Sequence, residues 1–183
     1  MLADRRFVAF LRAINVGGHV VTMEQLCRHF AKAGAKDVET FIASGNVIFN
    51  WPTGAAAAAE AAIEARLHKA LGYEVKTFVR SAAEVAEVAR YRPFSEPDMK
   101  AATVMNVGFM AQPLDAAATQ TLAAFRSSVD DFHTFGRELY WLCKTRTSES
   151  PFFKVPLEKR LGIRATFRNM NTVQRLATRY GWT

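Results

Sequence analysis

Two short stretches of this sequence carry residue types suited to holding an anion. The first is Arg12 followed by Asn15-Val16-Gly17-Gly18-His19, together with Ser44-Gly45-Asn46 further along. Adjacent glycines let backbone N–H groups turn outward and come close to a ligand. Asn15, Ser44 and Asn46 add short polar side chains, and Arg12 adds a fixed guanidinium. A helix opening at Thr22 brings its positive end to the same place. The chemistry is that of a cradle for phosphate or another small anion. As plain architecture, the same residues make a turn in which the glycines take positive φ and the asparagines bond the backbone. The second stretch is Thr166-Phe167-Arg168-Asn169-Met170-Asn171-Thr172. Asn171 reads as a helix cap with Gln174 at its third position, and Thr172 as a first-turn residue. Arg168 and Asn169 have no such local explanation. The ligand-binding set is therefore Arg12, Asn15, Gly17, Gly18, Ser44, Asn46, Arg168 and Asn169.

Other chemistry is sparse. The four histidines are scattered, with no cysteine or carboxylate at metal-ligand spacing, so neither a bound metal nor a cofactor is expected. No GxSxG, P-loop or GxGxxG occurs, and no catalytic residue can be named. Cys27 and Cys143 form no CxxC and read as buried small hydrophobes. Asp130-Asp131 with His133 reads as an exposed pair at a strand start rather than an acid–base set.

The elements that must position these residues follow from periodicity. Phe7–Ile14 is a strand apolar on both faces, which implies a doubly covered, central position. Thr22 and Gln25 have capping-box spacing and open a helix that Gly34 ends. Val38–Ala43 and Val47–Trp51 flank the Ser44-Gly45-Asn46 turn. Residues 55–71 are Ala-rich but helical, and Glu74–Arg80 completes a β-α-β-β-α-β series. Ser81 and Glu84 cap a short helix, and Tyr91–Lys100, with Pro93 and Pro97, reads as the connection between domains. The series then repeats: strand Thr103–Phe109, helix Asp115–Arg126, a hairpin about Gly136-Arg137, helix Phe153–Leu161, strand Ile163–Arg168 and a last helix. The first strands of the two series start about 96 residues apart, without sequence identity between them. The expected fold is α+β: tandem ferredoxin-like units with antiparallel sheets, over residues 1–80 and 101–183, joined by 81–100 and ending in a helix. In such a unit the loop after strand one and the hairpin after strand two lie at one end of the sheet.

Composition narrows the class. Half of the 183 residues are hydrophobic, enough for a core. No apolar run approaches the ~20 residues of a membrane span, and no signal-peptide region opens the chain, so a cytoplasmic location without membrane contact is expected. Of the 24 Lys and Arg, ten fall in residues 137–183 against three glutamates, so the net charge of +7 lies in the last quarter. That asymmetry points to an anionic partner or to a solvated basic face.

Three runs then resemble a known family. Leu11-Arg12-Ala13-Ile14-Asn15-Val16-Gly17-Gly18, Met23-Glu24-Gln25-Leu26 and Ile42-Ala43-Ser44-Gly45-Asn46-Val47-Ile48-Phe49 resemble the opening signature of the domain-of-unknown-function family 1697. Ala165–Val173 resembles its closing motif, which usually reads T-x-R-N-W-N-T. Ala13 stands where the family has glycine, and Met170 where it has tryptophan. The resemblance implies a bacterial cytosolic protein of tandem ferredoxin-like fold and no particular reaction. Three functions stay open: a small anionic ligand, nucleotide-like, at the glycine turn; an oligomerising or interaction protein; and a basic RNA-binding module. RNA-recognition domains of this fold stack bases on aromatics of strands one and three, but the strand Gly45–Phe49 lacks the ring two positions before Phe49.

Overall fold

The computed structural model describes residues 5–15, 18, 20–42 and 45–182. The chain divides into two compact units, one holding the residues up to Glu87 and those from Leu176 onward, the other Val88–Arg175.

In the first unit, strands β1 (Arg6–Leu11), β2 (Lys36–Thr40), β3 (Asn46–Asn50) and β4 (Thr77–Ser81) form an antiparallel sheet in the order β2-β3-β1-β4. Strand β3 thus returns between β1 and β2, as a split β-α-β unit requires. Helix α1 (Met23–Ala33) starts at the reciprocal Thr22–Gln25 capping box and ends on Gly34 at φ 111°. Helix α2 (Ala56–Leu71) buries Ala59, Ile63 and Leu67. Both helices cover one face of the sheet, where Phe7, Ala9, Leu11, Val47, Phe49 and Val79 form the core. Val8, Phe10, Ile48 and Phe78 point to the opposite face and are equally buried. Burial of each large side chain contributes about 1.5–3 kcal/mol. The edge of β4 is closed by α2: Glu60 and Glu64 accept from the backbone N–H groups of Val79 and Thr77 at 3.1 and 2.8 Å. An open strand edge would otherwise invite pairing with another chain.

In the second unit, β5 (Val104–Met110), β6 (Asp130–Phe135), β7 (Glu138–Cys143) and β8 (Ala165–Asn169) repeat that order as β6-β7-β5-β8. The chain is therefore α+β with two ferredoxin-like sheets. Gly108 in the middle of β5 has a packing reason: a Cβ there would stand 2.8 Å from the ring of Phe167. Helix α3 (Ala82–Arg90), capped by Ser81 and Glu84, spans the division at Glu87, and α4 (Glu96–Ala101), in the second unit, lies within the stretch read from the sequence as a connection. Helix α5 (Ala116–Ala123) is capped by Asp115.

Other sequence expectations shift. Strand β1 ends at Leu11, because the backbone turns left-handed at Ala13 (φ 61°) and Asn15 (φ 59°). The helix expected over Phe153–Leu161 is a 3-10 turn, Pro151–Lys154, followed by the short helix α6 (Leu157–Leu161). Pro156 has no N–H to continue a helix from the residues before it. The last helix, α7, starts at Met170 rather than beyond Asn171 and runs to Arg179. Asp130 is not exposed. It is 2% accessible and accepts from Trp141 Nε1 at 2.7 Å and Ser150 Oγ at 2.8 Å, tying the 3-10 turn to the sheet. Removing a buried carboxylate would strand both donors. Asp130→Ala is therefore expected to cost about 3 kcal/mol in urea denaturation, and a loss below about 1 kcal/mol would contradict this role.

Candidate functional site

At one end of the first sheet the loop after β1 and the β2–β3 hairpin meet, as the topology requires. Leu11 N–H donates to Gly45 O at 2.9 Å, and Arg12 N–H donates to Lys76 O at 2.8 Å. The contact is tight: a Cβ on Gly45, whose φ is +75°, would lie 2.7 Å from Ile14 Cγ2 and 3.2 Å from Leu11 Cβ. Glycine is needed there for both reasons at once.

The individual side chains divide into two groups. Asn15 closes its own loop, its amide donating to Val21 O at 3.2 Å and its Oδ1 accepting from Val21 N–H at 2.6 Å. Asn46 is fully buried and donates to Phe41 O at 3.0 Å, so it locks the hairpin rather than facing outward. Arg12 is half-buried, while Gly18 is exposed at φ 85° with open space where a Cβ would be. Gly17, Ser44 and His19 lie outside the described residues. The amino end of α1 is already self-capped, since Gln25 N–H donates to Thr22 Oγ1 at 3.2 Å. Arg12 brings a guanidinium to this end of the sheet, beside Lys76.

Left-handed backbone at non-glycine residues concentrates here. Ala13, Asn15 and Ile42 all have φ near +60°, and Ile42 is β-branched and exposed. Such conformations cost of order 1–3 kcal/mol each and gather at binding sites and switches. Ala13 also accounts for the glycine that the family signature carries at this position.

Arg168 and Asn169 belong to the second unit, and both have structural work that the sequence did not disclose. Arg168 is 9% exposed, and its Nη1 donates to Thr166 Oγ1 at 2.9 Å and to Phe167 O at 2.8 Å. Burial lowers its pKa to about 10, which still leaves it charged at neutral pH. Asn169, not Asn171, caps α7, its Oδ1 accepting from Asn171 N–H at 2.8 Å. Met170 is 3% exposed and sits largely in the interior.

Register exposes a residue that sequence reading missed. Arg80 on β4 lies opposite Val8, and Arg168 on β8 lies opposite Val107. Arg80 is fully buried and, like Arg168, donates from Nη1 to the carbonyl of the residue before it. Facing them are Val8-Ala9-Phe10-Leu11 and Val107-Gly108-Phe109-Met110, a four-residue likeness visible only once the strands are aligned.

The rings on the inner strands of the two sheets are enclosed. Phe49 lies in the helix-covered core, and Phe109 and Tyr140 are fully buried on the other face of the second sheet. Much of the basic last quarter is also engaged. Arg164 pairs with Glu158 at 2.8 Å, and Arg160 and Arg179 lie over the rings of Phe125 and Phe41. Among the described residues, no group of three or more His, Cys, Asp or Glu is placed to hold a metal ion. No helix among them is long and apolar enough to cross a membrane.

The model of the family described as "Protein of unknown function (DUF1697)" matches residues 5–140. The chain belongs to this family. The match takes in both loops of the first unit and stops before the closing motif. A solved structure, that of the conserved bacterial protein SP0830 from Streptococcus pneumoniae, is similar at a TM-score of 0.74 and 20% identity. The likeness covers 95% of this chain and 97% of that one. At this identity the likeness is one of fold. No curated protein matches the chain.

Two substitutions test the loop geometry. Gly45→Ala should lower stability by about 2 kcal/mol or more, because strain and collision coincide. Ala13→Gly should raise it by about 0.5–1 kcal/mol, relief of the left-handed alanine outweighing the added freedom of the unfolded chain. Thermal denaturation reads both, and a fall in midpoint for Ala13→Gly would contradict the strain.

Proposed function

We propose that this member of the DUF1697 family binds a small anionic, phosphate-bearing ligand at the loop end of its first sheet, with Arg12 as the cation. The observation that carries the reading is the convergence of left-handed backbone from two loops, Ala13, Asn15 and Gly18 with Ile42 and Gly45, beside Arg12. Left-handed turns aim backbone N–H groups into concavities that suit anions. The structure maintains the Ala13 and Ile42 conformations although neither residue favours them, which supports a role beyond a simple turn. Asn15 serves this site by holding its loop, and Asn46 by holding the hairpin. Gly17 and Ser44 complete the set as further contributors of N–H and hydroxyl donors.

The reading is of a binding site; it assigns no reaction. Inorganic phosphate at 100 times its Kd adds about 2.7 kcal/mol to stability. That corresponds to roughly 5–11 °C in melting temperature for a chain of this size. At fixed ionic strength, phosphate should stabilise the native sequence in this way and leave the Arg12→Ala variant unmoved. A full shift retained in Arg12→Ala, or none in the native sequence, would refute the site.

A further inference from the structure

The second unit holds a cavity of about 360 Å³ at the junction of β8 and α7. Its lining belongs wholly to this unit and is built from three stretches of chain. Arg92 follows α3, Met99 to Met105 run from α4 into β5, and Asn169 to Gln174 open α7. The volume suits a metabolite-sized ligand.

The lining has a definite chemical character. Arg92 is its charged residue, and no carboxylate accompanies it. The guanidinium is held in place from behind, its Nη1 donating to Ala89 O at 3.0 Å and Tyr91 O at 3.1 Å. Those bonds leave further N–H groups of the fork for an anion. Gln174 is likewise fixed, its Nε2 donating to Ala89 O at 3.3 Å, so that its Oε1 remains as an acceptor. Asn169 uses its Oδ1 in capping and keeps its NH2 group as a donor. Thr103 donates its hydroxyl proton to Lys144 O at 2.9 Å and keeps lone pairs. The rest of the wall includes Met99, Met105 and Met170, flexible and polarisable side chains that favour contact with rings.

An anchored cation, amide donors and acceptors, and a methionine wall suit an organic anion rather than a bare ion. We infer that this cavity binds a small carboxylate or phosphate ester carrying a flat, apolar body. Arg92 meets the acidic group, the Asn169, Asn171 and Gln174 amides meet polar edges of the body, and the methionines pack on its face. Arg92 and Asn171 determine affinity for this ligand, and the loop site around Arg12 takes no part.

The methionines report on both sites. Met23 begins α1 beside the loop site, Met99, Met105 and Met170 line the cavity, and Met110 is core, 1% exposed. The full-length chain, labelled with ¹³C at the methionine methyls, would be titrated with adenosine monophosphate and with benzoate, taking inorganic phosphate as control. At least one organic anion should shift the Met99, Met105 and Met170 methyls saturably and leave Met110 still. Arg92→Gln and Asn171→Leu, both at exposed positions, should each weaken that binding about tenfold, while Arg12→Ala should not. If neither organic anion moves those three methyls saturably by about 10 mM, or if both variants bind with unchanged affinity, the inference is overturned. Movement of Met23 alone would uphold the loop site and overturn this one.

Discussion

The rest of the structure depends on the burial of β1 and β5 on both faces. Each is a central strand with a neighbour on either side. Phe7, Ala9 and Leu11 alternate with Val8 and Phe10 in β1, and all five are at most 2% exposed. In β5, Val107 and Phe109 are fully buried, and Asn106, the one polar side chain, points to the helix side and donates to Thr147 Oγ1. A strand enclosed in this way offers nothing to a ligand. Chemistry is therefore displaced to the ends of the sheets and to the strand–helix junctions, where polar side chains can reach water. The Arg12 loops and the Asn169 junction are both such places.

The same burial explains the two arginines. An arginine on an enclosed sheet face is tolerated only when its N–H groups find acceptors, because stranding the charge costs several kcal/mol. Arg80 and Arg168 each start with the nearest acceptor, the carbonyl one residue back. Their equivalent register, opposite Val8 and Val107, is the clearest sign that the two units are versions of one design. It also changes the meaning of the closing motif. Arg168 anchors a strand, while Asn169 caps a helix and stays exposed beside Asn171.

The fold was legible because its signals are local. The capping boxes at Thr22 and Ser81, the glycine ending α1 and the apolar periodicities all stand in the sequence, and from them the order of elements followed. The break in β2–β3 register between Lys36 and Glu39, at Asp37, was not legible. It depends on a left-handed residue (φ 48°) whose carbonyl accepts from Arg6, 31 positions away. Asp130 misled for the same reason: an acidic pair looks exposed until Trp141 and Ser150 arrive from elsewhere. At the candidate site, residue types identified the loops, but not that Asn15 and Asn46 would be taken up in closing them. The charge asymmetry was legible, and several of its arginines are taken up in ion pairs, ring contacts and one buried strand.

The central claim is that anion chemistry resides at the loop end of the first sheet. Hydrogen exchange read by mass spectrometry, with and without inorganic phosphate at equal ionic strength, locates binding directly. The expected result is slower exchange in peptides covering residues 12–22 and 41–46, with the strands and the second unit unchanged. Unchanged exchange in those two peptides, or protection that appears only elsewhere, would contradict it.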